Sequence, residues 1–178
     1  FAQLLALDFP DRILSLVLIS TSPATPGVRG LPSPTERYTR FLATAEVDWS
    51  DQESVIEYLV DYSRVLAGSE RPFDEAAIRK LVRRDVARAR NIASSENHGV
   101  IEEGDVSRKP LSSIAVPTLV IHGTADPMFP VEHGQALSAE IPGARLLTLN
   151  GAGHGVDRAD WETIVRAIIG HTAPAGRD

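Results

Sequence analysis

Three runs of the chain are apolar nearly throughout and show no strict alternation: LSLVLIS at residues 14–20, PTLVIHG at 117–123 and ARLLTLN at 144–150. A strand with one face in water alternates apolar and polar side chains, whereas a strand covered on both faces has no reason to. The three runs therefore predict buried parallel strands in a layered α/β fold. Parallel neighbours need a crossover, and residues 131–140 supply one as a short helix stopped by Pro142 and Gly143. After the third run, Trp161, Ile164, Val165 and Ile168 recur at helical spacing, Gly170 stands where a C-terminal cap belongs, and residues 172–178 form a polar tail. The opening FAQLLALDFPDR is the back of another helix, apolar at Leu4, Leu5 and Leu7 and ending near Phe9 and Pro10.

Between the first two strands lies an insertion, residues 21–116, opened by the Pro/Gly-rich TSPATPGVRGLPSP. Ser50 and Glu53 form a capping-box pattern ahead of Val55, Ile56, Leu59, Tyr62 and Leu66 on one helical face. Asp74 can cap a further helix carrying Ile78, Leu81, Val82, Val86 and Ile92, and the arginines of 79–90 read as its solvated face. Three segments result: the start of the core at 1–33, a helical cap at 34–110 and the closing core at 111–178.

Composition excludes several roles. A formal net charge of -6 gives no basic footprint for a nucleic acid. No apolar run approaches the roughly 20 residues of a membrane span. Cysteine is absent, which removes disulfides, thiolate nucleophiles and Cys-based metal sites and fits a reducing compartment such as the cytoplasm. His122, Asp126, His133 and His154 show no H-E-x-x-H or similar ligand spacing, so neither a metal nor another cofactor is expected. The sole methionine is Met128, and the chain opens at Phe1 inside a helical pattern, so the sequence reads as a fragment of a longer protein.

In open α/β sheets, reactive groups gather beyond the carboxyl ends of the strands. Asp126 follows the second strand and His154 follows the third, in NGAGHG. Adjacent parallel strands would bring the two together, with the carboxylate orienting the imidazole and leaving its other nitrogen as a general base. Gly151, Gly153 and Gly155 flank the histidine with residues able to adopt φ > 0. Met128 and Phe129, at the same strand tip, are the expected substrate contacts. Six of the ten aromatic residues (Tyr38, Phe41, Trp49, Tyr58, Tyr62, Phe73) fall in the insertion, as its core or as the wall of an apolar pocket. His98 reads as a helix-end residue and His171 as part of the tail.

The order helix, PDR, strand, helical insertion, VPTLVIHGTADPMFP and GAGHG resembles the C-terminal two-thirds of an α/β-hydrolase, in which nucleophile, acid and histidine follow one another along the chain. More narrowly, QLLALDFPDR, the insertion length and the tail resemble actinobacterial ester hydrolases of the aclacinomycin methylesterase type. The resemblance implies a partial α/β-hydrolase fold of three C-terminal parallel strands with flanking helices and a helical cap. It further implies Asp126 as triad acid, His154 as triad base, and a small hydrophobic ester-type substrate. It puts the nucleophile in a G-x-S-x-G turn roughly half a dozen residues before Phe1, together with the oxyanion-hole amides. Ser20, Ser22, Ser112, Ser113 and Ser138 all lack such an elbow. An isolated 178-residue chain is accordingly expected to be inactive, with an apolar strand edge at 14–20 prone to aggregation. An aspartate nucleophile would instead give haloalkane dehalogenase or epoxide hydrolase chemistry, and a non-catalytic ligand-binding member of the fold stays open. Oligomeric state has no signature in the sequence.

Overall fold

The computed structural model describes residues 1–24, 30–100 and 109–173, apart from the side chains of 96 and 98–100. Its centre is a three-stranded sheet, β1 (Leu16–Ile19), β2 (Thr118–Gly123) and β3 (Arg145–Leu149), all parallel and in that spatial order. Leu18 stands opposite Val120, and Ile121 opposite Leu147. β2, in the middle, is buried along its whole length, which accounts for its unbroken apolar character.

Successive side chains leave the sheet on opposite sides. Leu16, Leu18 and Val120 pack on one face with Ala6 and Leu7 of α1 (Ala2–Asp8), Leu137 of α5 (Glu132–Glu140), Ile141 and the single turn Leu111–Ser113. Leu119, Ile121 and Leu149 pack on the other with Ala152 and with Ile164 of α6 (Trp161–Thr172). Fully burying each such side chain contributes about 1.5–3 kcal/mol. Gln3, buried on α1, ties that helix to the chain leaving β1: its Nε2 donates to the carbonyl of Ser22 and its Oε1 accepts the N–H of Ala24, each at 2.9 Å.

The insertion is built on α2 (Glu36–Thr44), α3 (Gln52–Leu66) and α4 (Glu75–Arg88). Ile56 and Val60 of α3 pack on Val82 of α4 as a separate small core. Asp74 caps α4 as expected, its side chain accepting the Ala77 N–H at 3.0 Å. The cap of α3 is Asp51 rather than Ser50: Asp51 Oδ1 accepts the Glu53 N–H, while Ser50 turns back to Asp48 through both its N–H and its hydroxyl. A carboxylate one position closer to the helix outcompetes the serine for the orphan amides. Ile92 belongs to a 3-10 segment, Ile92–Val100, not to α4, and His98 lies in that segment with its side chain outside the described residues. Gly170 does not end α6, which runs two residues further to Thr172.

The basic run folds against carboxylates of α3 and α4. Arg79 pairs with Glu57 and Glu75, and Arg83 with Glu53. The insertion's aromatic rings pack on one another: Phe41 stacks with Tyr58 and Tyr62 and Tyr58 with Tyr62, while Trp49 meets Tyr58 edge-on and Tyr38 meets Tyr62 at a tilt. Phe73 joins the small α3–α4 core and carries the Arg64 guanidinium 4.7 Å above its ring. Among the described residues, no helix is long and apolar enough to cross a membrane.

Candidate active site

β2 and β3 end side by side, and the loops that leave them are laced together by backbone hydrogen bonds. Thr124 N–H donates to Leu149 O at 3.0 Å and Ala125 N–H to Ala152 O at 2.9 Å. The Thr124 hydroxyl accepts the Gly151 N–H at 2.7 Å. A side chain at Gly123 would collide with the carbonyl oxygens of Ala152 and Gly153, so the glycine that closes β2 is what lets the two loops touch.

That contact brings Asp126 and His154 together. His154 Nδ1 lies 2.9 Å from Asp126 Oδ2. A carboxylate accepts, so Nδ1 carries the proton and Nε2 presents a lone pair. The carboxylate is itself fixed: Asp126 Oδ1 accepts the N–H groups of Met128 and Phe129, each at 2.9 Å. The Asp126 side chain is fully buried, while that of His154 is 22% exposed, so of the pair the imidazole alone faces outward. Charge-assisted bonds inside a closed pocket hold geometry better than the same bonds in water.

Of the three glycines around His154, only Gly151 has a positive φ, at 68°. Gly153 serves a different purpose. A Cβ there would strike Leu66 O and the carbonyl of Ala67, because the C-terminal end of α3 sits directly on the histidine loop. His154 N–H donates to Leu66 O at 2.8 Å. Arg71, just beyond, completes the attachment: its guanidinium bonds the carbonyl of Asn150 and pairs with Asp160, with Nη1 to Oδ2 at 2.6 Å. The hydrogen bond to Asp160 holds Arg71 above the usual arginine range. None of these insertion-to-loop contacts has a local signal in the sequence.

Met128 and Phe129 are half-buried at the same tip. The Phe129 ring lies between two imidazoles, 5.7 Å from His154 and 5.3 Å from His133. His133 is a structural bridge with no local signal in the sequence. Its Nε2 donates to Pro32 O and its Nδ1 faces the Ser22 hydroxyl, each at 2.9 Å, so it holds the start of the insertion against α5. His171 is not part of the tail: it is the penultimate residue of α6, and its Nε2 lies 3.0 Å from Leu16 O on β1. Ser22 is engaged with His133, the Ser138 hydroxyl with Gln135 O, and Ser20 follows β1 with a φ of 45°. Among the described residues, no serine hydroxyl is hydrogen-bonded to His154, and no cluster of three His, Asp or Glu side chains is disposed to hold a metal ion.

A buried acid and a half-open histidine on consecutive parallel strand tips, with a helical insertion seated over them, define a hydrolase-type α/β architecture. The chain belongs to the α/β-hydrolase fold family, whose model matches residues 1–156. It is similar to the rhodomycin D methylesterases DauP of Streptomyces sp. (strain C5) and DnrP of Streptomyces peucetius. Each is 31% identical over 97% of this chain and 63% of its own length. A pimeloyl-[acyl-carrier protein] methyl ester esterase of Nitrosomonas europaea is 24% identical over 84% of the chain and 58% of its own length. The chain thus spans less than two-thirds of the curated relatives it matches. In fold it is similar to the meta-cleavage product hydrolase CumD of Pseudomonas fluorescens IP01, with a TM-score of 0.69 at 16% identity over 98% of this chain and 61% of that one. The esterase EaEST of Exiguobacterium antarcticum gives a TM-score of 0.67 at 17% identity over 95% and 61%.

Proposed function

We propose that this chain supplies the acid and the base of a serine-dependent carboxylic ester hydrolase acting on a small hydrophobic ester. The observation that carries the reading is the 2.9 Å bond between His154 Nδ1 and the buried Asp126 carboxylate. It leaves Nε2 as an oriented base, which a pure binding protein has no use for. The methylesterase names of the relatives support an ester as substrate.

In this reading the serine lies in sequence outside these 178 residues, and the 178-residue stretch by itself is inactive. The serine hydroxyl attacks the ester carbonyl carbon while His154 Nε2 takes its proton. The resulting imidazolium is stabilised by Asp126 and then protonates the departing alcohol as the tetrahedral intermediate collapses. Water, deprotonated by the same nitrogen, hydrolyses the acyl-enzyme and regenerates the serine. Met128 and Phe129 contact the acyl or alcohol group beside the base, the Phe129 ring against His154 providing the apolar wall.

An active-serine phosphonate probe on the full-length protein tests this. One serine should be labelled stoichiometrically, and labelling should fail in His154→Ala. No labelling, but trapping of an ester intermediate on an aspartate by an alkyl halide or epoxide, would replace the serine with an aspartate nucleophile. Neither adduct, alongside measurable ligand binding, would make the protein a binder.

A further inference from the structure

His122, the penultimate residue of β2, is completely buried. Its Nε2 lies 2.7 Å from the carbonyl oxygen of Phe129 and 3.5 Å from Oδ2 of Asp126. Both partners are acceptors, so the ring proton sits on Nε2 and leans between them, closer to the carbonyl. The other nitrogen, Nδ1, is a buried acceptor with no partner among the described residues. A hydrocarbon side chain in the same space would avoid the orphaned Nδ1 but leave the Phe129 carbonyl without its donor, so the imidazole is accounted for by what its Nε2 does. Room for the ring is made by Gly134 of α5, where a Cβ would come 2.7 Å from Cγ and 2.8 Å from Nδ1 of His122.

The geometry points to His122 as a positioning residue for the Asp126–His154 pair, an inference that rests on reading that pair as an oriented general base. Phe129 is held at both of its peptide groups, by Asp126 Oδ1 at its N–H and by His122 at its carbonyl. The strand, the loop and the carboxylate are thereby closed into one ring of hydrogen bonds. Two backbone amides occupy Oδ1, which leaves Oδ2 as the oxygen that addresses the base. That oxygen lies between two imidazoles, 2.9 Å from His154 Nδ1 and 3.5 Å from His122 Nε2. His122 thus sets the turn of the carboxylate about its Cβ–Cγ bond, and through it the direction in which His154 points. Completely buried, it acts only through Asp126 and the Phe129 carbonyl.

The test compares two polar replacements in the full-length protein labelled with 15N-histidine. In His122→Gln the side-chain amide nitrogen falls near the place of Nε2, and in His122→Asn it falls near that of Nδ1. In the wild type, long-range 1H–15N spectra should show His122 as the Nε2–H tautomer. The Gln variant should keep the low-field His154 Nδ1–H resonance and ester turnover within about threefold of wild type, whereas the Asn variant should lose that resonance and drop kcat by about 10–100-fold with KM nearly unchanged. An Nδ1–H tautomer of His122 in the wild type overturns the inference, and so does equal damage from both variants, whether in fold or in rate. Failure of the hydrolase reading would look different: the wild type would turn over no ester, while the histidine resonances would still report on His122.

Discussion

The backbone N–H of His154 donates to the carbonyl of Leu66 at 2.8 Å, so the residue whose imidazole meets Asp126 is held by the last turn of an insertion helix. The final carbonyls of a helix lack intrahelical partners, and here one of them is satisfied by the loop it must position. The insertion is therefore not a separate lid at this point. Gly68 makes the same contact from the other side, since a Cβ there would lie 2.6 Å from Ala125 O beside the acid.

Close approach at this seam makes Gly153 intolerant of any side chain. Gly153→Ala should destabilise the protein by about 3 kcal/mol, because the colliding atoms belong to the α3 backbone and cannot swing away. Gly155→Ala, where a Cβ meets nothing within 4 Å, should stay within about 0.5 kcal/mol. Denaturant midpoints of the two variants check the contrast, and similar shifts in both would contradict it.

Arg71 fastens the same seam through Asp160 and Asn150 O. Arg71→Ala should cost about 1–2 kcal/mol, since the pair is only partly buried. A double-mutant cycle with Asp160→Asn should show coupling of about 1 kcal/mol or more. Strict additivity would mean that the ion pair contributes nothing.

Acid should weaken the insertion. Glu75 is held below its ordinary value of 4.5 by hydrogen bonds first from Arg64 and then from Arg79, and Glu57 is held below it by Arg79. A carboxylate depressed in the folded state contributes stability that is complete above its unfolded value and is lost as pH falls through its folded one. Stability should therefore decline with pH below about 4.5, less steeply in Glu75→Gln, and the difference should shrink at high salt. Denaturant midpoints measured along the pH axis give the comparison; parallel curves for wild type and variant would refute it.

Phe129→Ala removes a ring that touches both His154 and His133. With the Asp126 anchor on its backbone N–H intact, the loss should fall on substrate contact: KM for an apolar ester should rise about tenfold, as expected for roughly 1.4 kcal/mol of uniform binding. A fall in kcat at constant KM would instead give the ring a part in aiming the base.

The sheet and the Asp126–His154 contact were legible because both rest on short-range rules. The apolar runs mark the three strands, although only β2 is buried along its whole length, β1 and β3 being sheet edges, and consecutive parallel strands put their following loops side by side. Asp74 was equally readable as a cap. Ser50 was misread because two adjacent residues, Ser50 and Asp51, both suit the cap position, and only the folded turn shows Ser50 committed to Asp48. Gly170 was misread because a glycine tolerated within α6 looks the same in sequence as one that ends a helix. The attachment of Leu66, Gly68 and Arg71 to the histidine loop was invisible, as was the bridge from His133 to Ser22 and Pro32. These contacts join segments 79 to 111 residues apart in two of the cases and obey no periodicity.

Steady-state hydrolysis of a methyl ester by the full-length protein and its His154→Ala variant is the most direct measurement. Loss of the base should lower kcat by about 10⁴-fold or more with KM changed only severalfold. Turnover by His154→Ala within about tenfold of wild type would contradict the assignment of His154 as the general base.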